Sequence, residues 1–517
     1  MKHTVRSKYL VFPVNTNLKN KKLSFLKGEK CVYELNIRLD SNNPDFFAYI
    51  DVSRFMGKTL EISVKPEMKL EFRETDILDI ANLYNEPWRP QVHFTAKNGW
   101  INDPNGLIYI DGVYHMFYQY NPACNQWDNM HWGHAESQDL MHWTEKATAL
   151  FPGDNGTRWS GSAIADKKNL LGVSSGGKDT GVLFFTATNP FSQCIAYSDD
   201  NFETITEYSK NPVVPHISVC NRDPKIVFCE ERGDYIMALY LDKDIYCLLN
   251  SSNLTDWNKL QEIKVEGENE CPDLFPINDK SGNRKWVFMG ARDKYIVGDF
   301  ADGLFTPCQE IKDIHYGSAG YAGQTFSNLP GGRVVRIVWE RWNLKETAFN
   351  GQMSIPMELN LEKKGDKYLL SAYPVNEIES IIEDRKIYEN FGVSAGESKM
   401  IELEDKPYFI KLKAALADSG DLKFTLFGCE FSVDFSENHI SVGNAACPVS
   451  VTRDGFELTI ISDICSLEIF ADGGKAYMTS VTNQALKDKN LLYLMIDSSQ
   501  NYYFEKIEIF ALKSIWE

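Results

Sequence analysis

The sequence predicts an all-β protein: a five-bladed β-propeller followed by a C-terminal β-sandwich, with a small additional β domain at the N-terminus. Three observations carry this. Short strand patterns broken by turn residues run along the whole chain, and long 3.6-residue helical periodicities are scarce. A motif recurs: Ser137-Gln138-Asp139-Leu140-Met141-His142-Trp143 matches Ser251-Ser252-Asn253-Leu254-Thr255-Asp256-Trp257, with a weaker copy, Ser198-Asp199-Asp200-Asn201-Phe202, between them. Its first serines are 61 and then 53 residues apart, and a period of about 50–60 residues with about four strands per unit marks propeller blades. Finally, 517 residues are too many for one ordinary core, which leaves length for domains on either side.

The elements follow in order. In residues 1–86, Tyr9-Leu10-Val11-Phe12-Pro13-Val14 reads as a first strand, too short for the apolar core of a secretion signal, and Val32 to Leu39 alternates in character. These residues form the small N-terminal β domain. Arg89-Pro90-Gln91-Val92-His93-Phe94 joins it to the first blade without a Gly/Ser- or Pro-rich spacer, so the domain is expected to pack on the propeller rather than swing on a tether. Residues 87–376 hold the propeller. Leu107 to Ile110, Asp111-Gly112 and Val113 to Tyr118 spell a hairpin with a type I′ turn, and apolar strands recur at Val182–Thr186, Tyr235–Tyr240 and Lys285–Gly290. Residues 377–390 are charged and read as a linker or helix. From 391 to 517 strands return, as in Phe424–Phe427, Phe456–Ile461 and Ser466–Phe470, and predict the sandwich.

Composition narrows the function. Lys+Arg 54 against Asp+Glu 72 gives a net charge of −18, which opposes general binding to nucleic acid or anionic membrane and suits a neutral substrate. No apolar run approaches the ~18–20 residues that span a bilayer. Aromatic residues at 13% are abundant enough to offer stacking surfaces to sugar rings, although most must build β cores. The eleven cysteines are scattered without a Cys-x-x-Cys pair, which reads as reduced thiols and a cytoplasmic location.

Three segments concentrate chemistry. Gly99-Trp100-Ile101-Asn102-Asp103-Pro104-Asn105-Gly106 packs polar groups ahead of a strand; the plain alternative is an Asx-turn opening the hairpin. Asn221-Arg222-Asp223-Pro224-Lys225 repeats Asp-Pro before an apolar strand, and its Arg-Asp neighbours would ordinarily be a surface ion pair. Glu270-Cys271-Pro272 sets a glutamate beside an apolar-type cysteine, in either a desolvated site or a solvated turn. The repeat shifts the balance. Asp103 and Asp223 fall near the start of their blades and Glu270 near the start of the next, and the first strand of each blade lines the central axis. Carboxylates 120 and 47 residues apart then converge in one funnel, an arrangement suited to glycoside hydrolysis. Other chemistries find less support. His131 and His134 have ligand spacing, but no H-E-x-x-H or Cys pair accompanies them, so core histidines are expected and no metal. There is no P-loop or dinucleotide fingerprint, and Trp159-Ser160-Gly161-Ser162-Ala163 lacks the first glycine of a nucleophile elbow.

With these residues in view, the chain resembles glycoside hydrolase family 32, the invertases, inulinases and levanases. Trp100 to Gly106 carries the most specific likeness. Phe117-Tyr118-Gln119-Tyr120-Asn121-Pro122, Trp127, Met130-His131-Trp132-Gly133-His134-Ala135, Trp159 to Ala163, Arg222 to Lys225 and Glu270 to Pro272 come in family order, and Ser462 to Phe470 resembles the family's sandwich motif. The resemblance implies a retaining enzyme that releases terminal non-reducing β-D-fructofuranosyl residues from sucrose, fructo-oligosaccharides or fructans without a cofactor. It implies Asp103 as nucleophile, Glu270 as general acid/base and Asp223 as transition-state stabiliser. Asn102, Gln119, Trp127, Ser160 and Arg222 would line the fructose pocket, with Tyr321 and Trp339 walling it. His315 and Met357 depart from the family's usual acidic residue and arginine. Alternatives are a fructosyltransferase on the same scaffold and a non-catalytic fructan-binding protein. The expected partner is the fructosyl substrate, with neither nucleic acid nor membrane, and self-association would run through the N-terminal or C-terminal β domain.

Overall fold

The computed structural model describes residues 1–516 apart from 177, 343, 345–346, 416–420, 451–454 and 482–492. Among the described residues, helix is confined to three short 3-10 turns, and strands make up the remaining regular structure.

Among the described residues the propeller consists of five sheets: four are built on four successive strands each, and the fifth on Gly320–Thr325, Val335–Glu340, Met357–Lys364 and Lys367–Pro374. The innermost strands are Gly99–Ile110, Arg158–Asp166, Arg222–Cys229, Asp273–Asn278 and Gly320–Thr325. Each contacts the next, and the fifth contacts the first, which closes the ring. Closure is reinforced where Phe349–Asn350 pairs in parallel with Gly99 and Trp100 of the first blade.

The recurring motif has a defined role. Ser137, Ser198 and Ser251 each end the third strand of a blade. Each serine Oγ accepts backbone N–H groups of the adjoining turn: Asp139 at 3.2 Å, Phe202 at 2.9 Å and Leu254 at 2.9 Å. Trp143 and Trp257 lock their turns by donating Nε1–H to the carbonyls of Leu140 and Leu254. The Asp111-Gly112 turn has both residues at positive φ, 50° and 86°, as a type I′ turn requires.

The N-terminal residues form two small sheets. Four strands run in the order Lys2–Thr4, Thr59–Lys65, Lys21–Lys27, Lys30–Ile37, and three in the order Phe46–Asp51, Tyr9–Val14, Arg73–Thr75. Their inward-facing side chains, including Leu10, Phe12 and Phe25, enclose a core that also takes in Ala123 and Phe151 of the propeller.

Among the described residues, two six-stranded sheets form the C-terminal sandwich. The linker expected at 377–390 is corrected here. Asn376–Ile381 is a short 3-10 turn, and Ile382–Val393 is a strand paired antiparallel with Tyr502–Leu512. It is the edge of its sheet, and Glu383 to Ile387 are exposed. A charged edge strand resists pairing with other chains, and its composition imitates that of a solvated linker.

The sandwich and propeller share one core. Phe409, Phe470, Tyr477 and Phe510 pack in the same cluster as Met116, Val297 and Ile355. Each such buried side chain contributes about 1.5–3 kcal/mol. A buried polar joint accompanies it. Asp463 accepts the backbone N–H groups of Gln91 and Val92 at 2.9 and 2.8 Å and faces His93 Nδ1 at 2.8 Å. Trp516 donates to the Pro90 carbonyl at 2.7 Å and stacks on Tyr84 at 4.1 Å.

Candidate active site

Four of the five innermost strands depart from regular pairing at or beside a site residue, while Asp273–Asn278 pairs regularly. Register shifts fall at Ile101/Pro104, Trp159/Gly161, Arg222/Lys225 and Tyr321/Gln324, around Asp103, Ser160, Asp223 and Ala322. Such bulges turn a side chain out of the strand's alternation. Asp223 (φ 62°), Glu270 (φ 50°) and Cys271 (φ 37°) lie in the left-handed region, sparsely populated by residues other than glycine. For Asp223 this also overrides the extended preference imposed by Pro224.

These turns bring the expected carboxylates together. Ser160 Oγ donates to Asp103 Oδ2 at 2.6 Å. Cys271 bridges two acids: its thiol lies 3.4 Å from Asp103 Oδ2 and 3.5 Å from Asp223 Oδ2, and its backbone N–H donates to Asp223 Oδ2 at 3.1 Å. Arg222 Nη2 donates to Glu270 Oε1 at 2.6 Å, and Tyr321 OH donates to Glu270 Oε2. The Arg222–Asp223 pair, expected at the surface, is instead largely buried, with Nε 3.7 Å from Asp223 Oδ2, and the same guanidinium reaches across to Glu270. Trp100 Nε1 donates to Asn102 Oδ1 at 2.9 Å and so orients that amide beside Asp103.

The aromatic residues surround this group. Trp100 and Tyr321 each meet Trp339 edge-on, at 5.7 and 6.4 Å between ring centroids. Trp127 meets Trp159 edge-on at 5.9 Å, and the Arg222 guanidinium lies 5.8 Å from the Trp159 ring. Gln119 is set deeper, buried and donating to the Arg158 carbonyl at 3.1 Å. Of the two departures, His315 packs on the sandwich through Thr479 Oγ1 at 3.0 Å, and Met357 belongs to the shared core.

Burial dominates the electrostatics. It pushes the Asp103 carboxyl upward and the charge on Glu270 adds to this, against hydrogen bonds from Ser160, Asn102 and Cys271. Burial likewise raises Asp223 to about 7; Arg222 pulls it down, while Glu270 and Asp103 push it up. Burial and the neighbouring carboxylates raise the Cys271 thiol well above its ordinary value, so it remains an S–H donor between the acids.

Several contributors are not visible in sequence motifs. Thr186 Oγ1 accepts the Asp223 N–H at 3.0 Å, Tyr246 OH donates to the Glu270 carbonyl at 3.2 Å, and the Tyr240 ring supports Arg222 at 4.5 Å. Tyr240 pairs with Arg222 across neighbouring strands of the third blade, whereas Thr186 and Tyr246 each reach in from the preceding blade, so only the packing of strands and blades could have found them.

His131 and His134 are core histidines, hydrogen-bonded to Tyr33 OH at 2.7 Å and to His115 Nδ1 at 3.0 Å. Among the described residues, the grouping with cation-like spacing is His93, Glu340 and Glu468, at the sandwich joint, with ligand atoms within 4.8 Å of one another. Burial, then the charge of Glu468, raises Glu340 well above the carboxylate range, so Glu340 holds a proton. Burial opposes charge on His93, but Asp463 and Glu468 overcome it and raise His93 as well.

Carboxylates from the first and third blades and from the start of the fourth, one beside a serine of the second blade and another beside an arginine and a tyrosine, under an aromatic rim, define a glycosidase. The family model for the glycosyl hydrolases family 32 N-terminal domain matches residues 93–372. A levanase from Bacillus subtilis (strain 168) is 31% identical over 492 residues, covering 84% of this chain and 72% of that protein. An extracellular exo-inulinase from Aspergillus awamori is 29% identical over 523 residues, covering 84% and 96%. The crystal structure of the Aspergillus awamori exo-inulinase superposes with a TM-score of 0.75 at 25% identity, covering 84% of this chain and all of that one. The chain belongs to glycoside hydrolase family 32.

Proposed function

We propose that this enzyme removes terminal non-reducing β-D-fructofuranosyl residues from sucrose, fructo-oligosaccharides or fructans with retention at C2. The observation that carries the reading is the division of the carboxylates: Asp103 is held by Ser160 and Cys271, and Glu270 by Arg222 and Tyr321. Relatives named levanase and exo-inulinase support the substrate class.

Glu270 gives its proton to the glycosidic oxygen as the bond from C2 to that oxygen breaks. Asp103 attacks C2 from the other side, and a fructosyl ester forms. Water, giving a proton to Glu270, then attacks C2, the ester breaks and fructose leaves. The oxocarbenium-like transition state carries positive charge, which the carboxylates of Asp103 and Asp223 stabilise in a partly dehydrated site. Arg222 fixes Glu270 and limits repulsion among the acids. Trp339 Nε1, buried without a partner among the described residues, is suited to donate to a sugar hydroxyl.

Release of fructose from sucrose, inulin and levan, followed by a reducing-sugar assay with separate glucose determination, tests the reading. Fructose equal to glucose from sucrose is expected. Glucose in large excess over fructose would establish transfer to a sugar acceptor instead, and no release from any of the three would leave only binding. We also propose a reducing compartment, supported by buried thiols such as Cys124, Cys194, Cys229 and Cys247 without disulfides.

A further inference from the structure

The loop of residues 122–130, between the second and third strands of the first blade, carries Trp127, and the N-terminal β domain grips that loop from outside. Asn36, on strand Lys30–Ile37, donates its amide to Asp128 Oδ1 and Oδ2 at 3.0 and 3.1 Å, and Asn20 donates to Asp128 Oδ2 at 2.9 Å. The Asn129 amide pairs with the Asn36 backbone like a short β-bridge: Asn36 N–H donates to Asn129 Oδ1 at 2.7 Å, and Asn129 Nδ2 donates to the Asn36 carbonyl at 2.8 Å. On the other side of Trp127, the Gln126 carbonyl accepts from Asn121 Nδ2 at 2.7 Å. Both residues after the tryptophan are therefore tied to the N-terminal domain, and the residue before it to the blade.

Trp127 itself is 55% exposed. Burial does not hold an indole that open, and its ring contact is the edge-on one with Trp159, next to Ser160 and within reach of Arg222. Its place at the funnel rim is set by its loop, and the loop is set by Asp128 and Asn129. We propose that Asn20 and Asn36 are positioning residues for Trp127, so that the N-terminal domain shapes the sugar-binding rim and thereby substrate affinity. This rests on the functional reading in which Trp127 lines the fructose pocket.

The test is a double-mutant cycle in the full chain: N20A/N36A, Trp127→Ala, and the three substitutions combined. KM and kcat on sucrose are measured, together with fructose binding followed by tryptophan fluorescence, which needs no turnover. The expected result is a KM about tenfold higher in N20A/N36A, with kcat within about threefold of the parent, weaker fructose binding, and no further effect of the pair once Trp127 is alanine. An unchanged KM, or a tenfold effect that persists in full without Trp127, would overturn the proposal. Should N20A/N36A fail to fold, Asn36→Asp, which sets a carboxylate against Asp128, carries the same expectations. A parent that binds fructose but turns over no substrate would sink the hydrolase reading and leave the rim testable; a parent that binds no fructose would sink both.

Discussion

Arg222 Nη2 lies 2.6 Å from Glu270 Oε1 while its Nε lies 3.7 Å from Asp223 Oδ2, so one guanidinium spans two of the three acids. Burial opposes its charge, but Asp223 and Glu270 raise its pKa and keep it ionised. Three carboxyls confined together without a cation would repel one another or neutralise. With Arg222 among them, Glu270 is oriented by an ion pair while Asp103 is held separately by Ser160. The division of labour in the site follows from which acid each donor reaches.

Asp103→Asn should retain the fold and lose several orders of magnitude in kcat, because an amide forms no fructosyl ester. Steady-state rates on sucrose beside a thermal melt check this. Activity within about tenfold of the parent would remove Asp103 from the nucleophile's role.

Glu270→Gln should harm substrates with poor leaving groups most, since an activated leaving group needs less protonation. Rates on sucrose and on an aryl fructoside compare the two. Equal losses on both would make Glu270 a positioning group for the sugar.

The raised pKa of Asp223 predicts how stability depends on pH. Its folded value, about 7, stands above the unfolded value near 3.8. The group therefore favours the fold below about pH 4, and that contribution is lost as pH rises through about 7. Asp223→Asn should gain Tm relative to the parent between pH 5 and 8, by up to a few kcal/mol in stability at the alkaline end. A Tm difference constant across that range would contradict the assignment.

Much of the site was legible in the chain because the repeat located the blade starts, and the Asp-Pro and Glu-Cys-Pro segments fell on them. What aims those residues was not. Asp223 precedes a proline, which locally favours extended backbone, yet it sits at φ 62°; neighbouring blades impose that conformation. The grip of Asn36 on Asp128 spans 92 residues, and no local pattern announces it. The strand Ile382–Val393 hid behind its own surface charge, since an edge strand and a linker meet the same solvent.

Asp463→Ala should destabilise the protein by about 3–5 kcal/mol, because it leaves a buried His93 and three backbone donors without their acceptor. Denaturant unfolding followed by fluorescence measures it, and a loss under about 1 kcal/mol would show that the apolar core alone joins sandwich to propeller.

The central claim is a covalent fructosyl intermediate on Asp103, and the stereochemistry of the first product tests it most directly. An NMR time course of sucrose hydrolysis, sampled faster than fructose mutarotates, should show β-fructofuranose appearing first. The α-anomer as the initial product would contradict the account.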